Sequence, residues 1–181
     1  CSNEGPQIAI GDLDGDGNTD ILIPGAKGMP IKMLSKKQVN SIALFPELTQ
    51  SEIVEVEIFD ADGDNDLDVY LASGGVEISP FSDLLYDRMY FNDGKGNFTP
   101  SEQLFPDTKN RISTGAVTSA DYDNDGDMDI FIGERIKIGR YGLAGSGYLL
   151  VNNGKGEFSN ETIQMAPELL ELGMITDARW A

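Results

Sequence analysis

The feature that most constrains this chain is a nine-residue acidic pattern that occurs three times. In each copy an Asp or Asn stands at every second position: Asp12, Asp14, Asp16, Asn18 and Asp20; Asp60, Asp62, Asp64, Asp66 and Asp68; Asp121, Asp123, Asp125, Asp127 and Asp129. Oxygens crowded into so short a segment repel one another unless a cation lies among them. Ca²⁺ is the ion that this pattern predicts, because it accepts six to eight oxygen ligands in flexible geometry. About three Ca²⁺ ions are therefore expected.

The residues around each acidic loop distinguish it from an EF-hand. An EF-hand loop places an acidic residue at position twelve, where this chain has Ile23, Leu71 and Ile132. Runs typical of strands precede and follow the loops: Ile8–Ile10 and Ile21–Ile23, Val54–Phe59 and Val69–Leu71, Ala116–Ala120 and Ile130–Ile132. Each ion is thus predicted in a β-hairpin turn, held by side chains one, three, five and nine and by the carbonyl of residue seven. The alternative is a solvated acidic turn, since Asp, Asn and Gly favour turns without metal.

A second repeated element links the loops into a larger unit. Met89–Phe98 matches Leu149–Phe158, and each contains an Asn-rich turn with two glycines that is a strong hairpin signal. The first copy is shorter and has Met29–Leu34 in place of this glycine hairpin. A period of 50 to 60 residues with about four short strands per copy predicts all-β propeller blades.

On these two motifs the chain resembles the FG-GAP and VCBS repeat family, which forms the blades of integrin α-subunit propellers and of many bacterial surface proteins. The resemblance implies about three blades with calcium-binding hairpin loops, in units around residues 6–50, 51–110 and 111–172, with 173–181 beginning a further blade. Closed propellers have four to eight blades. A partial or open propeller is therefore expected, either as a fragment of a longer protein or, less readily, as an arc completed by other copies of itself.

The charge and composition exclude several functions. A net charge of −18 disfavours nucleic acid, because phosphate binding needs clustered Lys and Arg. The chain has no His, which removes His-activated nucleophiles and His-ligated zinc. Most clustered carboxylates are assigned to calcium, so we expect no catalysis by this segment. No apolar run reaches the length of a transmembrane segment.

Two loops are candidates for binding a partner, residues 74–88 and 134–148, which occupy equivalent positions in successive copies. The second concentrates positive charge and an aromatic ring in an acidic chain, through Arg135, Lys137, Arg140 and Tyr141. These residues would suit a carboxylate, an acidic glycan or an acidic protein. The alternative is that the cations only balance nearby aspartates.

The location and wider role are predicted from the resemblance and the composition. Extracellular calcium sites of weak affinity and a single cysteine favour a secreted or surface protein. Cys1 could carry a lipid anchor, as in a bacterial outer-membrane lipoprotein, or be a fragment boundary. We expect a non-catalytic adhesion or ligand-binding scaffold for protein or glycan. The alternatives are an accessory propeller portion of a larger carbohydrate-active enzyme or transport system and, less favoured, a lyase-like or hydrolase-like propeller.

Overall fold

The structure is a computed structural model that describes residues 7–36, 42–107, 109–140 and 142–180. Its strands form three antiparallel sheets of four strands, each ordered along the chain. Sheet 1 contains β1 (Ala9–Gly11), β2 (Asp20–Ile23), β3 (Ile31–Leu34) and β4 (Ile42–Leu44). Sheet 2 contains β5 (Glu52–Phe59), β6 (Asp68–Gly74), β7 (Arg88–Asn92) and β8 (Phe98–Pro100). Sheet 3 contains β9 (Ser113–Ala120), β10 (Asp129–Ile136), β11 (Gly147–Asn152) and β12 (Phe158–Asn160). The predicted all-β class is confirmed.

Helical structure among the described residues is confined to short segments. One α-helical turn, α1, covers Thr162–Met165, and 3₁₀ turns lie at Pro46–Leu48, Asp83–Leu85 and Pro167–Leu169. Two of these 3₁₀ turns begin with proline, whose fixed φ suits the first helical position. None of these segments interrupts a sheet, so each sheet is a simple meander of neighbouring strands.

Each aspartate loop is the turn between the first two strands of a sheet. The pairs that close the three turns are Gly11 with Asp20, Phe59 with Asp68, and Ala120 with Asp129. The predicted strand–loop–strand order is therefore confirmed in all three copies. The glycine hairpins are also found, between β7 and β8 and between β11 and β12.

Two hydrophobic cores join the sheets face to face. Successive side chains of a strand point to opposite faces, so Val69 and Tyr70 of β6 enter different cores. Val69 and Tyr90 pack with Leu22 and other residues of sheet 1. Tyr70 lies in the other core with residues of sheet 3, including Ile130, Ile132 and Leu150. Every residue of β6 is buried, as expected of a strand covered on both faces.

Carboxylates of sheet 2 pair with the edge of sheet 3. Glu55 accepts a hydrogen bond from the Val117 N–H at 2.8 Å, and Glu57 accepts from the Ser119 N–H at 2.9 Å. Because β9 is an edge strand, these N–H groups have no strand partner on that side. The pKa of Glu55 is raised to about 7, first by burial and also by the nearby Glu57 and Asp177, against the opposing effect of the Val117 N–H.

The segment after sheet 3 lies against that sheet without forming a strand. Residues 173–180 have no regular secondary structure, although the Ile175 N–H donates to the Glu134 carbonyl at 3.3 Å. Ile175 also packs closely on Gly133, where a Cβ would collide with it. Ala181 lies outside the described residues. The further blade predicted at 173–181, and the boundaries of the three repeat units, stay predictions.

Candidate metal centres and a cationic groove

The three aspartate loops are loop 1 (residues 12–20), loop 2 (60–68) and loop 3 (121–129). The first aspartate of each loop accepts backbone hydrogen bonds from the residues that follow it, so the loop curls around this carboxylate. Asp12 accepts from the N–H groups of Asp16 at 3.1 Å and Gly17 at 2.7 Å. Asp60 accepts likewise within loop 2, at 2.8 and 2.9 Å, and Asp121 within loop 3, at 3.1 and 3.2 Å. The tight curl needs residues that accept positive φ, among them Gly15 at +64°. Hydrogen bonds within each loop therefore define its curl without a bound ion.

The ninth aspartate ties the loop to its sheet from a fully buried position. Asp20, Asp68 and Asp129 each accept, through Oδ2, the N–H of the second loop residue at 2.8 to 2.9 Å. In loops 2 and 3 the Oδ1 atom also accepts the N–H of Asn92 or Asn152. In loop 1, Asp20 Oδ1 is buried and has no hydrogen-bond partner.

The first, third and ninth side chains converge in every loop. Ligand atoms of each set lie within 4.8 Å of one another, and the sets are Asp12, Asp14 and Asp20; Asp60, Asp62 and Asp68; Asp121, Asp123 and Asp129. Nine of the fifteen predicted ligands are therefore brought together into three clusters that could hold a metal ion. Their chemistry is oxygen only, which suits hard cations such as Ca²⁺ and Mg²⁺.

The fifth and seventh residues lie outside these clusters. The fifth side chain instead accepts from the N–H of the seventh residue, at 2.7 Å in loop 1, 2.9 Å in loop 2 and 3.0 Å in loop 3. This Asx turn holds the end of the loop. The roles predicted for these six residues stay predictions: Asp16, Asn18, Asp64, Asp66, Asp125 and Asp127.

The electrostatics of the loops oppose full ionisation. Burial raises the pKa of Asp68 to about 6, although N–H groups of Asn92 and Ala61 act in the opposite direction. The pKa values of Asp62 and Asp123 are also raised, first by burial and then by neighbouring carboxylates. Asp62 Oδ1 is a second buried oxygen without a hydrogen-bond partner. A bound cation would offset both the repulsion and the missing hydrogen bonds, so these residues fit a metal ion.

The glycine hairpins fill the spaces between successive loops. A Cβ on Gly15 would lie under 3.0 Å from the Gly94 carbonyl oxygen, and a Cβ on Gly94 would meet the Asp66 carboxylate. Hairpin 89–98 therefore contacts loops 1 and 2. Gly154 lies in the same way between Gly63 of loop 2 and Asp127 of loop 3. Loops and hairpins thus alternate along one edge of the molecule.

The first asparagine of each hairpin joins two loops. The Asn92 amide donates to the Leu13 carbonyl of loop 1 at 3.0 Å and to the Leu67 carbonyl of loop 2 at 3.1 Å. Asn152 repeats this arrangement with Ala61 at 2.8 Å and Met128 at 3.2 Å. Sequence reasoning treated these hairpins as architectural turns and missed this link. The signal available was the recurrence of Asn at the same place before each turn.

The predicted cationic face forms an open groove. A cavity of about 600 Å³ is lined by Arg135, Lys137 and Arg140 together with apolar side chains. The apolar residues are Ile136, Leu143, Ala144 and Met174, the last contributed by the C-terminal segment. Tyr141 lies outside the described residues. The groove lies beyond β10, which extends to Ile136, so the irregular part of the predicted 134–148 loop is shorter than expected.

The charge of Lys137 is balanced from within the protein. Lys137 Nζ forms an ion pair with Glu134, which is buried and also accepts from the Ser146 N–H at 3.1 Å. Charge balance, the alternative considered from the sequence, therefore describes Lys137. The largely exposed Arg140 presents its charge at the outer part of the groove.

The other candidate loop contains a buried carboxylate that sequence reasoning missed. Asp87 accepts from the Tyr70 hydroxyl at 2.9 Å, the Ser73 N–H at 2.6 Å and the Thr114 hydroxyl at 2.9 Å. Burial raises the pKa of Asp87 to about 7, against the opposite effect of these donors. Because Thr114 belongs to β9, this network joins sheets 2 and 3. Residues 74–88 thus contribute to the packing of the sheets.

Comparisons with known proteins identify one repeat family. Among the described residues, no helix is both long enough and apolar enough to cross a membrane. No curated protein matches the chain. Among solved structures, the chain is similar to the GH74 enzyme of Niastella koreensis, with 14% identity and a TM-score of 0.49. The alignment covers 85% of this chain and 22% of that protein, so the chain spans about a fifth of its length.

A family comparison covers the centre of the chain, from the second aspartate loop to the strand after the third. Residues 60–132 match the sequence model of the FG-GAP-like repeat. The matched segment contains both complete loops that are followed by a glycine hairpin. The resemblance predicted from the sequence is therefore confirmed over residues 60–132.

Proposed function

We propose that this chain is a calcium-binding segment of a β-propeller and serves as a non-catalytic ligand-binding scaffold in a secreted or cell-surface protein. The observation that carries the proposal is the repetition of one carboxylate cluster, with a buried ninth residue, at the same position of three sheets. A carboxylate buried beside two others is costly to ionise without a cation, although backbone N–H groups offset part of that cost. Asp20, Asp68 and Asp129 all lie in that position.

Calcium is favoured over magnesium by the ligand set. The first, third and ninth carboxylates would hold the ion, with the fifth and seventh residues and water completing a flexible shell. Mg²⁺ demands a tighter octahedral arrangement and keeps most of its water. The ion would neutralise the loop and stabilise the hairpin between two strands. Its role in this proposal is structural, so folding and calcium binding are coupled.

The propeller arrangement is supported by the way in which the sheets pack. Each sheet is a four-stranded meander, and consecutive sheets share a continuous apolar core through facing surfaces. Blades of four antiparallel strands that pack successively are the building units of propellers. The loops and hairpins occupy one edge of all three sheets, as expected if the sheets are related by a repeated rotation.

The scaffold role is supported by the groove at residues 135–144. Its cations lie beside exposed apolar groups such as Leu143 and Met174, a combination that suits an anionic ligand with an apolar portion. The proposal of no catalysis rests on the assignment of the clustered acids to calcium. A lipid anchor at Cys1, which lies outside the described residues, is compatible with surface attachment and remains part of the proposal.

The calcium proposal is tested by thermal unfolding in EGTA, in millimolar Ca²⁺ and in millimolar Mg²⁺, with calorimetric counting of bound ions. We expect a large rise in Tm that is selective for Ca²⁺ and a stoichiometry of about three. Asp62→Asn should reduce the stoichiometry to about two, because Asp62 belongs to one cluster. Asp93→Asn is the matched control, since Asp93 lies in an exposed hairpin turn. An unchanged Tm on adding Ca²⁺ would refute the proposal.

The ligand proposal is tested separately with the calcium-saturated chain. Binding of a hexuronate oligosaccharide and of an Asp-rich peptide is measured by calorimetry for the native chain, Arg140→Ala and the surface control Lys95→Ala. We expect one probe to bind and Arg140→Ala to weaken it at least tenfold, with little change in the control. Equal loss in both variants would indicate general charge attraction rather than recognition in the groove.

A further inference from the structure

A second cavity lies between sheet 3 and the segment that connects β8 to β9. Its volume is about 700 Å³, within the roughly 300–1,000 Å³ that is typical of sites for small molecules. Asp107 and Asn110 contribute to its lining from the connecting segment, and Tyr148 of β11 and Gln164 of α1 contribute from sheet 3 and the turn that follows it. We call this space the polar cavity. The three aspartate loops, all of whose residues the structure describes, contribute nothing to its lining.

A hydrogen-bond network joins the elements that form the polar cavity. Asp107 Oδ1 accepts the backbone N–H groups of Lys109 at 2.7 Å and Asn110 at 2.9 Å. Its Oδ2 accepts from the side-chain amides of Asn110 at 2.8 Å and Asn160 at 3.2 Å. Asn160 in turn accepts from the hydroxyl of Thr162, the first residue of α1, at 2.7 Å. The cavity is therefore preformed, which lowers the ordering cost of binding a ligand.

Among the described residues that line the polar cavity, the buried ones all carry hydroxyl groups. They are Ser146, Tyr148 and Thr162, which are 5%, 6% and 1% exposed. Ser146 Oγ accepts the Glu171 N–H at 3.1 Å, which holds the segment after α1 beside them. The pKa of Tyr148 is raised well above its usual value, first by burial and also by Glu134 and Asp107. The phenol therefore keeps its proton and can donate it to an oxygen of a ligand.

The charges of the polar cavity cancel, unlike those of the groove at residues 135–144. The described lining of the cavity contains two cations and two anions, so its formal charge is zero: Lys109, Lys137, Asp107 and Glu171. The described lining of the groove contains three cations and no acid. An anion therefore fits the groove better than the cavity. The cavity suits a neutral ligand whose groups both donate and accept hydrogen bonds.

We propose that the polar cavity binds a neutral saccharide, with the Tyr148 hydroxyl and the Gln164 amide as hydrogen-bonding partners of its hydroxyl groups. A sugar ring also has C–H faces that pack on apolar side chains. Ile163 and Leu170 supply such a surface in the lining, at 72% and 41% exposure. Asp107 is a positioning residue, because its oxygens already accept from protein N–H groups.

This proposal goes beyond the proposed function, since it requires neither a bound calcium ion nor the exposed cation Arg140. Arg140 lines the groove and does not line the polar cavity. Substitutions in the cavity therefore leave the carboxylates of the loops and the arginines of the groove unchanged. The two proposals can fail independently of each other.

Calorimetric titration of the calcium-saturated chain with cellotriose, maltotriose and mannotriose, each measured alone, provides the test. We expect at least one of these neutral trisaccharides to bind. Tyr148→Phe and Gln164→Ala should each weaken that binding by roughly fivefold or more, because each removes one hydrogen-bonding group. Tyr122→Phe is the matched control, since Tyr122 is 37% exposed in loop 3 and does not line the cavity. The Tm of each variant is measured, and the exposed Gln164 decides the outcome if Tyr148→Phe does not fold. No binding of any trisaccharide, or unchanged binding in either folded variant, would overturn the proposal.

A groove variant and the salt dependence distinguish the polar cavity from the groove. Arg140→Ala should leave trisaccharide binding unchanged. Because the cavity lining is neutral, the trisaccharide affinity should change by less than about twofold between low and high salt. Trisaccharide binding that falls in Arg140→Ala, or that weakens steeply with salt, would place the ligand in the groove and contradict this proposal. Absence of binding by the anionic probes alone would refute the groove proposal and leave the saccharide site supported.

Discussion

Loop 1 and loop 2 share the same alternating Asp/Asn pattern, yet their ninth aspartates have different surroundings. Asp68 accepts two backbone N–H groups, from Ala61 and from Asn92 of the glycine hairpin. Asp20 accepts one, and its second oxygen is buried without a partner. The difference coincides with the absence of an Asn- and Gly-rich turn sequence after the third strand of the first copy. It teaches that the hairpin supplies a hydrogen bond to the metal loop of its own sheet, in addition to forming a turn.

Loop 1 has a partial substitute for its missing hairpin. The Ser35 hydroxyl donates to Asp14 at 2.7 Å, and Lys36 Nζ donates to Asn18 at 2.9 Å. Both donors come from the end of β3, where loops 2 and 3 have Asn92 and Asn152. These bonds reach the third and seventh residues and leave the ninth unchanged. In loop 1 the buried oxygen without a hydrogen-bond partner therefore belongs to the ninth aspartate, whereas in loop 2 it belongs to the third, Asp62.

Replacing the ninth aspartate with alanine should give the largest difference in stability between loop 1 and loop 2. Asp68→Ala leaves two buried N–H groups unpaired, at a cost of roughly 2–5 kcal/mol of unfolding free energy even in EGTA. Asp20→Ala leaves one and removes a buried unpaired oxygen, so its loss in EGTA should be less than half as large. Urea unfolding in EGTA and in Ca²⁺ measures both. Equal losses of unfolding free energy for the two variants in EGTA would contradict the difference between the loops. In Ca²⁺ we expect the two losses to be closer to each other.

Gly15→Ala and Gly63→Ala test how closely loops 1 and 2 contact the glycine hairpins. A Cβ on Gly15 would fall under 3.0 Å from the Gly94 carbonyl oxygen, whereas a Cβ on Gly63 would lie 3.2 Å from the Gly154 carbonyl oxygen. Gly15→Ala should therefore destabilise more, by roughly 2–4 kcal/mol including the cost of positive φ. Chemical denaturation at saturating Ca²⁺ gives both values.

Gly17→Ala is the control for this pair of substitutions. Gly17 also has a positive φ, of +79°, but nothing lies within 4 Å of the added Cβ. It should lose about 1–2 kcal/mol from backbone strain alone. If Gly15→Ala cost no more than Gly17→Ala, hairpin 89–98 would not press on loop 1 as the structure describes.

Removing one bridging amide tests whether the two junctions are equivalent. Asn92→Ala and Asn152→Ala each leave two buried carbonyl groups without the side-chain donor, and each should cost about 1–3 kcal/mol. Calorimetry should show weaker Ca²⁺ binding at two of the proposed sites, because each amide contacts two loops. Asn97→Ala, which alters only an exposed hydrogen bond within the turn, should be nearly neutral. Weaker Ca²⁺ binding at one site alone would contradict the role of each amide in joining two loops.

The junction between sheets 2 and 3 should also depend on pH through Asp87. Its pKa of about 7 in the folded protein exceeds the ordinary value of 3.8, so the folded state binds the proton more tightly. The stability from this group is complete below pH 3.8 and is lost as pH rises through about 7. Asp87→Asn should reduce the decline in unfolding free energy between about pH 5 and 8 by roughly 1–3 kcal/mol. A parallel decline in both proteins would contradict the raised pKa.

The sequence was sufficient for those features that depend on local pattern. The aspartate loops, their flanking strands and the glycine hairpins are encoded within a few residues by alternation and by turn-forming Asn and Gly. The convergence of residues one, three and nine follows from the curl of the loop. The fifth residue was harder to assign, because in the structure Asp64 accepts the Asp66 N–H through Oδ1 and lies outside the cluster of residues one, three and nine.

The features that escaped prediction depend on contacts between distant parts of the chain. Asn92 reaches Leu13 across 79 residues, and nothing in an Asn-Asp-Gly turn indicates that partner. Asp87 resembles an ordinary loop acid until Tyr70 and Thr114 surround it. The groove was predicted through its cations, but its apolar part needed Met174 to approach from the C-terminal segment. Sequence patterns identify such residues only after the packing of the sheets is known.

The alternating contact of loops and hairpins has a consequence for how ions would be taken up. Hairpin 89–98 touches loops 1 and 2, and hairpin 149–158 touches loops 2 and 3. An ion that orders loop 2 would therefore fix both hairpins and reduce the entropy lost when loops 1 and 3 become ordered. Uptake should be cooperative, with a Hill coefficient above one and the middle loop as its centre. The three loops and the two glycine hairpins between them would then become ordered together when calcium binds.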